Sequence, residues 1–579
     1  MMRTCTNGEL RAAHIGQQVT LVGWVSKRRN FGQLVFIDLR DRYGITQIVF
    51  NESLTEAIKD VRNEYILQVS GEVVKRQDPN LKMATGEIEV AVKTVKILNS
   101  ANTTPLIIAD ETDALEEVRL KYRYLDLRRP VVQQKFILRH QINRSIRKYL
   151  DERDFVEVET PILTRSTPEG ARDYLVPSRI HEGQFYALPQ SPQLFKQLLM
   201  ISGLERYYQI ARCFRDEDLR ADRQMEFTQV DIETSFLSQD ELLKLMEGMM
   251  ASVMKEFKGI DLPLPFVRLT FAQAMNTYGS DKPDIRFELK LTDVSEIFKN
   301  SEFSVFSTAF KNQGVIKALC VPGLANASRK QTDKYADEAK KNGAKGLVVL
   351  KVTGGALEGS AAKFFSAEES KALLAALKAS DNDLILMAAG QWEPTCNALG
   401  AVRSYLGSEQ GLYDKETFAF LWVTEFPMLE YNEEDKRFYA RHHPFTRPMD
   451  EDVQYLDSDP ARVRAYAYDM VLNGYELGGG SLRIYDQKMQ TKMFELLGFS
   501  EEQIKARFGF FIEAFQYGTP PHGGIAFGLD RIAMLLTGSE SLRDVIAFPK
   551  NAAAKCPMSE APSSVEESQL AELHIKVTQ

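Results

Sequence analysis

Apolar and polar positions alternate from Val19 to Leu98 in five short runs: VTLVGWV, LVFIDL, ITQIVF, YILQVSGEVV and EIEVAVKTVKIL. A period of two marks strands with one buried face, and turn signals at Tyr43-Gly44, Asp78-Pro79 and Thr85-Gly86 separate the runs. Five such strands predict a small closed barrel of the OB type. From Val132 to Leu150 the period lengthens, with Phe136, Ile142, Ile146, Tyr149 and Leu150 at helical spacing before the apolar run FVEVETPIL. Residues 206–233, RYYQIARCFRDEDLRADRQMEFTQVDIE, read as strand, charged loop, strand. Residues 238–258 predict an amphipathic helix with a methionine-rich core face. Between 288 and 408, strands at FSVF, VIKALCV, GLVVLKV and DLILMAAG alternate with helices at 329–342 and 367–378, an α/β insertion. GTPPHGGIAFGLDRIAMLLTG reads as glycine-rich turn, strand and helix, and LHIKV near the end as a last strand.

The chain is therefore expected to be α+β and multidomain: a barrel at 1–103, a linker at 104–132, a core at 133–287 resuming at 409–550, the insertion at 288–408 and an extension at 551–579. Composition is ordinary for a globular chain, 44% hydrophobic and 26% charged over 579 residues. The net charge of −8 argues against adhesion to DNA and requires any RNA contact to be local. Cys5, Cys213, Cys320, Cys396 and Cys556 are scattered without a C-x-x-C pair, so neither a disulfide framework nor a structural zinc is expected. The start lacks the apolar core of a signal peptide, and no run approaches the roughly 18 apolar residues of a membrane span. A cytoplasmic chain with no membrane partner is expected.

Chemistry concentrates around residues 206–233, where Arg206, Arg212, Arg215, Arg220 and Arg223 stand among carboxylates. Arg215 and Glu217, two apart on the outgoing strand, would share a face, one to grip an anion and the other to accept from an amine. The alternative is a solvated hairpin of weak surface ion pairs. In the barrel, Lys27, Arg28, Arg29, Asn30 and Phe31 with Phe36 offer charge for phosphates and a flat face for unstacked bases, unless Phe36 is core. Glu169, Ser191 and Gln193 could bind an ammonium group and Lys196 a carboxylate. Lys196 and Arg483 converging on one pocket would require an anion between them. Asp469 and Glu476 suit Mg²⁺. His442 and His443, if on a strand, point to opposite faces and cannot easily share an ion. The basic stretch VRLKYRYLDLRRP either faces a nucleic acid or is a solvated helix.

FRDE followed by RQMEF resembles motif two of the class II aminoacyl-tRNA synthetases, and RCFRDEDLRADRQMEFTQVDIE is similar to the bacterial-type aspartyl-tRNA synthetases within them. The helix before FVEVETP matches motif one and GLDR motif three; the insertion looks like a GAD domain. The resemblance implies that Arg215 and Arg531 are catalytic, on the α- and γ-phosphates of ATP. Glu217 would read the adenine amino group and Phe227 stack under the ring, with Asp216, Gln224, Glu476, Gly528, Leu529 and Asp530 also at the nucleotide. Glu169, Ser191, Gln193, Lys196, Arg215, Asp231, His442 and Arg483 would bind L-aspartate, and Asp469 and Glu476 would hold Mg²⁺. Arg29, Phe36, Gln47 and Glu89 would read the anticodon.

The implied activity is ligation of aspartate to tRNA for aspartate, by a homodimer with Pro161 at its joint. One alternative is charging of tRNA for asparagine as well; the resemblance implies a histidine at the turn around Phe31 for that, and this chain has none there. The other is an inactive RNA-binding paralogue, which would lack Arg215, Glu217, Asp469, Glu476 or Arg531; all are present.

Overall fold

The computed structural model describes residues 2–167 and 171–578. The chain forms two compact units, one of Met1–Asn143, Asp218–Met225 and Ala533–Glu567, the other of Arg144–Glu217, Glu226–Ile532 and Ser568–Gln579.

The first unit contains the closed barrel. Its strands Gln18–Phe31, Leu34–Asp41, Gly44–Phe50, Ile66–Lys75 and Ile88–Asn99 are the five runs of the sequence. The first strand pairs with both the second and the fourth, and the parallel pair Ile48↔Val90 and Val49↔Ala91 joins third to fifth. Leu21, Val25, Ile37, Leu39, Ile48, Leu67, Val69 and Val90 alternate inward into one core, as period two requires.

Part of the basic stretch after the barrel is buried and not a solvated helix face. Arg123 and Arg129 are buried, with 2.6 and 2.8 Å ion pairs to the fully buried Asp126. Arg123 also donates to the carbonyls of Arg543, Ile546 and Ala547. Arg128 pairs with Glu64 at 2.9 Å and lies 5.3 Å over the Trp24 ring. Guanidinium forks can satisfy several carbonyls at once, so Arg123 and Arg129 fasten the linker from within.

In the second unit an eight-stranded sheet runs Val267–Thr270, Phe420–Thr424, Ala467–Leu472, Tyr475–Leu482, His522–Gly528, Glu226–Ser235, Arg206–Phe214, Val156–Glu157. It is antiparallel except at its two outer pairs. The helix Gln239–Lys258 begins in a capping box between Ser238 and Glu241 and buries Met246, Met249, Met250 and Met254. The inserted region carries its own sheet of Leu291–Asp293, Val315–Val321, Leu384–Gly390, Val348–Thr353 and Ala356–Glu358, every pair antiparallel.

Two expected strands are absent. FSVF enters the helix Ser304–Lys311, since a four-residue apolar run cannot distinguish the two periods. LHIKV follows the helix Glu567–Glu572 and pairs with nothing among the described residues. No helix among the described residues is long and apolar enough to cross a membrane.

Candidate functional site

The centre of the eight-stranded sheet is built from strands poor in side-chain bulk. On Glu226–Ser235, Asp231 and Glu233 are two apart and share a face, opposite Ala526 and Gly524 of the neighbouring strand. A Cβ at Gly524 would stand 1.9 Å from Glu233 Oε2, so only glycine leaves room for that carboxylate. From the helix Gln193–Ile201 comes Lys196, whose Nζ lies 3.4 Å from Asp231 and 3.3 Å from Glu233. Arg483, one residue past the strand Tyr475–Leu482, donates to Glu233 at 2.9 and 3.1 Å and to His443 Nε2 at 2.5 Å.

This corrects the argument that Lys196 and Arg483 need an external anion to converge. Asp231 and Glu233 already balance them, and all four side chains are at most 2% exposed. Burial raises the Asp231 pKa, with Lys196 opposing it. Burial acts upward on Glu233 too, but Arg483 and Lys196 together hold it below its ordinary value. Burial first, then Arg483, drive His443 far below the usual histidine range, so its imidazole is neutral. Glu233 escaped the sequence reading, although its i, i+2 relation to Asp231 could have revealed it, and His443 was weighed there only as a metal ligand.

Above this cluster opens a cavity of about 430 Å³ whose wall includes Ser191, Gln193, Lys196, Arg215, Asp231, His442, Asp469, Glu476 and Arg483, so nine of the expected residues meet there. Glu169 lies outside the described residues. Three buried groups bordering the cavity have no hydrogen-bond partner, Asp231 Oδ2 and Gln193 Nε2 beside the cluster and Asp469 Oδ1 farther along the wall. An unmet acceptor and an unmet donor beside three cations suit a ligand with an ammonium group and more than one carboxylate oxygen. Gln229, Asp281, Glu430 and Arg441 also line the cavity and were not anticipated.

The two histidines do not point to opposite faces. Residues 441–443 lie beyond the strand Arg437–Ala440, so strand alternation does not apply, and both rings border the same cavity. His442 packs edge-on against Phe426 at 4.8 Å and stands 3.8 Å from Asp469 Oδ1. That oxygen is buried and accepts no hydrogen bond, while burial and then Glu476 push the Asp469 pKa up to about 6. A Cβ at Gly479 would lie 2.7 Å from Asp469 Oδ1 and 3.2 Å from Glu476 Oε1, so both carboxylates converge over that glycine. An orphan oxygen in a strained carboxylate pair fits a hard divalent cation completed by water and phosphate oxygens.

The nucleotide half departs from its strand reading. The strand Arg206–Phe214 ends before Arg215, so Arg215 and Glu217 belong to the loop and do not share a strand face. Arg215 lies 5.1 Å over the Phe227 ring, a flat cationic platform. Asp216 takes the Arg172 guanidinium at 3.6 Å. Arg531, in the first turn of the helix Leu529–Leu536, donates to the Glu476 carbonyl at 2.5 Å. Leu529 and Asp530 are buried outside the cavity lining, and Asp530 Oδ2 accepts the Thr228 N–H at 2.8 Å, which ties the start of the helix to the strand Glu226–Ser235. Gly528 pairs with Gln229 across the sheet. Gln224 is tied on both sides to the Lys550 backbone, at 3.0 and 3.2 Å, and this pairing occupies its amide.

On the barrel, Arg29 sits opposite Phe36, and Asp38 opposite Gln47. Arg29 forks onto Asp38 at 2.7 and 2.9 Å and reaches Gln47 Oε1 at 3.0 Å, while Gln47 donates to Glu89 at 2.5 Å. Phe36 is half-buried on this face, its neighbours Val35 and Ile37 in the core. Three of the four expected residues, Arg29, Gln47 and Glu89, thus form one polar strip with Asp38, and the fourth, Phe36, sits opposite Arg29.

Residues 115–552 match the family described as class II tRNA synthetases for D, K and N, and residues 19–98 match the OB-fold nucleic-acid-binding domain. A Geobacillus sp. (strain WCH70) protein named aspartate–tRNA(Asp/Asn) ligase is 58% identical, the match covering 99% of this chain and 98% of that one. A Bacillus cytotoxicus protein of the same name is 57% identical, with 99% of each covered. In fold the chain is similar to the asparaginyl-tRNA synthetase of Pyrococcus horikoshii complexed with asparaginyl-adenylate, with a TM-score of 0.59 at 18% identity over 95% of this chain and 98% of that one. A putative aspartyl-tRNA synthetase from Leishmania major Friedlin gives 0.59 at 20% identity, over 95% and 94%.

Proposed function

Because the chain belongs to the class II tRNA synthetases of the D, K and N group, we propose that it is an aspartate–tRNA ligase. The observation that carries this is the cavity floor: Lys196 and Arg483 fixed by Asp231 and Glu233, with Asp231 Oδ2 and Gln193 Nε2 unmet above them. Asp231 takes the substrate ammonium, and Lys196 and Arg483 take its side-chain carboxylate. A lysine substrate would place its cation against these cations, and a neutral asparagine amide would forgo the charge-assisted hydrogen bonds that an aspartate carboxylate accepts from them.

The α-carboxylate of aspartate is itself the nucleophile. Its oxygen bonds to the α-phosphorus of ATP as the bond to the pyrophosphate oxygen breaks, leaving aspartyl-adenylate. The terminal ribose hydroxyl of tRNA then attacks the activated carbonyl, AMP departs and the hydroxyl proton is lost to solvent. Arg215 balances charge at the α-phosphate and Arg531 at the γ-phosphate, while Phe227 and Glu217 seat the adenine. Asp469 and Glu476 would hold Mg²⁺, which supplies charge neutralisation for the phosphates.

The working unit is proposed to be a cytoplasmic homodimer joined near Pro161, where Val156, Ile162 and Leu163 are 44–51% exposed. As to acceptors, the histidine-free turn favours tRNA for aspartate alone, whereas the names of the 57–58% identical relatives favour both tRNAs. Identity over nearly the whole chain weighs more than one turn residue, so both are proposed. Labelled aspartate, ATP and Mg²⁺ with each purified tRNA test the reading. Charging of both is expected, and charging of tRNA for aspartate alone would restrict the enzyme to it. Charging of neither would overturn the assignment.

A further inference from the structure

The inserted region holds a cavity of about 1060 Å³, between the helix Ser304–Lys311, the strand Leu384–Gly390 and residues 343–348. None of the residues assigned above to ATP, aspartate or tRNA lines it. Its floor is apolar, with Phe306 and Met387 fully buried. At its edge Phe303 and Phe364 stack with centroids 5.2 Å apart and planes at 19°, although Phe364 is 46% exposed. Pockets that hold small ligands have this character, a few hundred to about 1,000 Å³ of mostly apolar wall with a few convergent polar groups.

The charged groups are all of one sign. Lys345 and Lys363 line the cavity, Lys363 standing 5.1 Å over the Phe364 ring, and no Asp or Glu is among its described lining residues. A cleft carrying ammonium groups and no carboxylate among its described lining residues has a positive local potential. It attracts anions and repels cations, while the floor demands apolar substance. We propose that this cavity binds a small amphiphilic anion, an apolar body with a carboxylate, sulfonate or phosphate end, and that Lys345 and Lys363 take the anionic end.

The test is a fluorescence titration of the full chain with anilinonaphthalene sulfonate, with ATP and aspartate present to fill the other site. Saturable binding is expected, displaced by octanoate and not by octyltrimethylammonium, and weakened at least tenfold in the Lys345→Glu/Lys363→Glu double variant. Gly346 lies in the wall, and a Cβ built there meets no atom within 4 Å, so Gly346→Trp should fill the cavity and abolish binding. Circular dichroism, independent of any charging activity, reports whether each variant is folded; should Gly346→Trp not fold, the lysine variant decides. Equal displacement by the cationic competitor, or unchanged binding in the folded variants, would overturn the proposal. So would an absence of saturable binding, or displacement only by an acidic peptide.

Discussion

Arg483 grips Glu233 through both faces of its fork, Nε to Oε1 at 2.9 Å and Nη2 to Oε2 at 3.1 Å, with neither side chain more than 2% exposed. Two residues 250 positions apart in the chain thus form the rigid underside of the cavity. Removing one partner leaves the other charge buried and uncompensated. Glu233→Gln is expected to lower the unfolding free energy by about 3 kcal/mol, and Glu233→Gln/Arg483→Met by less than the sum of the two single changes. Urea unfolding of the four proteins in the cycle checks this; strict additivity would deny the pairing.

Lys196 stands between two carboxylates and also faces the cavity. Lys196→Leu should raise the KM for aspartate by about 10²-fold, in line with loss of one partner of a buried charge pair, and leave the KM for ATP nearly unchanged. ATP–pyrophosphate exchange separates the two constants, and an unchanged KM for aspartate would point to a neutral substrate.

For Arg215, poised over Phe227, the expected loss is in chemistry. Arg215→Ala should slow adenylate formation by at least about 10²–10³-fold, the usual effect of removing one transition-state charge donor. tRNA binding, followed by filter retention, should persist. Retained pyrophosphate exchange would remove Arg215 from the α-phosphate.

Gly479 is the floor beneath Asp469 and Glu476. A methyl there would intrude on two flexible side-chain ends and on no backbone, so Gly479→Ala should fold. It should raise the Mg²⁺ concentration required for half-maximal activity by about 10–100-fold, the range for disturbed metal ligands. An unshifted Mg²⁺ requirement would argue that the cation sits elsewhere.

His443 is held neutral by burial and by Arg483 beside it, with Lys196 and His442 adding to the same effect. Its pKa is lower folded than unfolded, so below about pH 6.5 the unfolded chain binds a proton that the folded chain does not. The stability this residue contributes is complete above that pH and is lost as pH falls. Relative to His443→Gln, the native protein should lose about 1.4 kcal/mol per pH unit below about 6.5. Taking the difference between the two proteins cancels the opposite dependence of Asp231, whose pKa is raised. Parallel curves would show His443 to be uncoupled from pH.

The motif residues of the candidate site were legible because each sits in a local pattern, FRDE before Arg206–Phe214 turns back or GLDR at a helix start. Their mutual arrangement was not. The sequence suggested two lone cations seeking a ligand, and the structure provides them with Asp231 and Glu233. It suggested histidines on opposite faces, and a backbone that leaves the strand at Ala440 sets both on one cavity. Gln224 illustrates the same limit, its amide being taken up by the Lys550 backbone far along the chain.

Local order and long-range order divide here for a physical reason. Period-two alternation in residues 19–98 and helical spacing around Ile142 and Ile146 are set by neighbouring residues, and from them the sequence alone determined the barrel, the long helix and the order of the motifs. Which charge meets which depends on strand register and on where glycines permit close approach, as Gly524 does for Glu233 and Gly479 for Asp469. The Glu233–Gly524 contact joins residues hundreds of positions apart, where no local pattern carries information, and the Asp469–Gly479 contact depends on the register of two paired strands. Only the tertiary structure decided that the cations of this site are already paired, and that its unmet groups are Asp231 Oδ2, Gln193 Nε2 and Asp469 Oδ1.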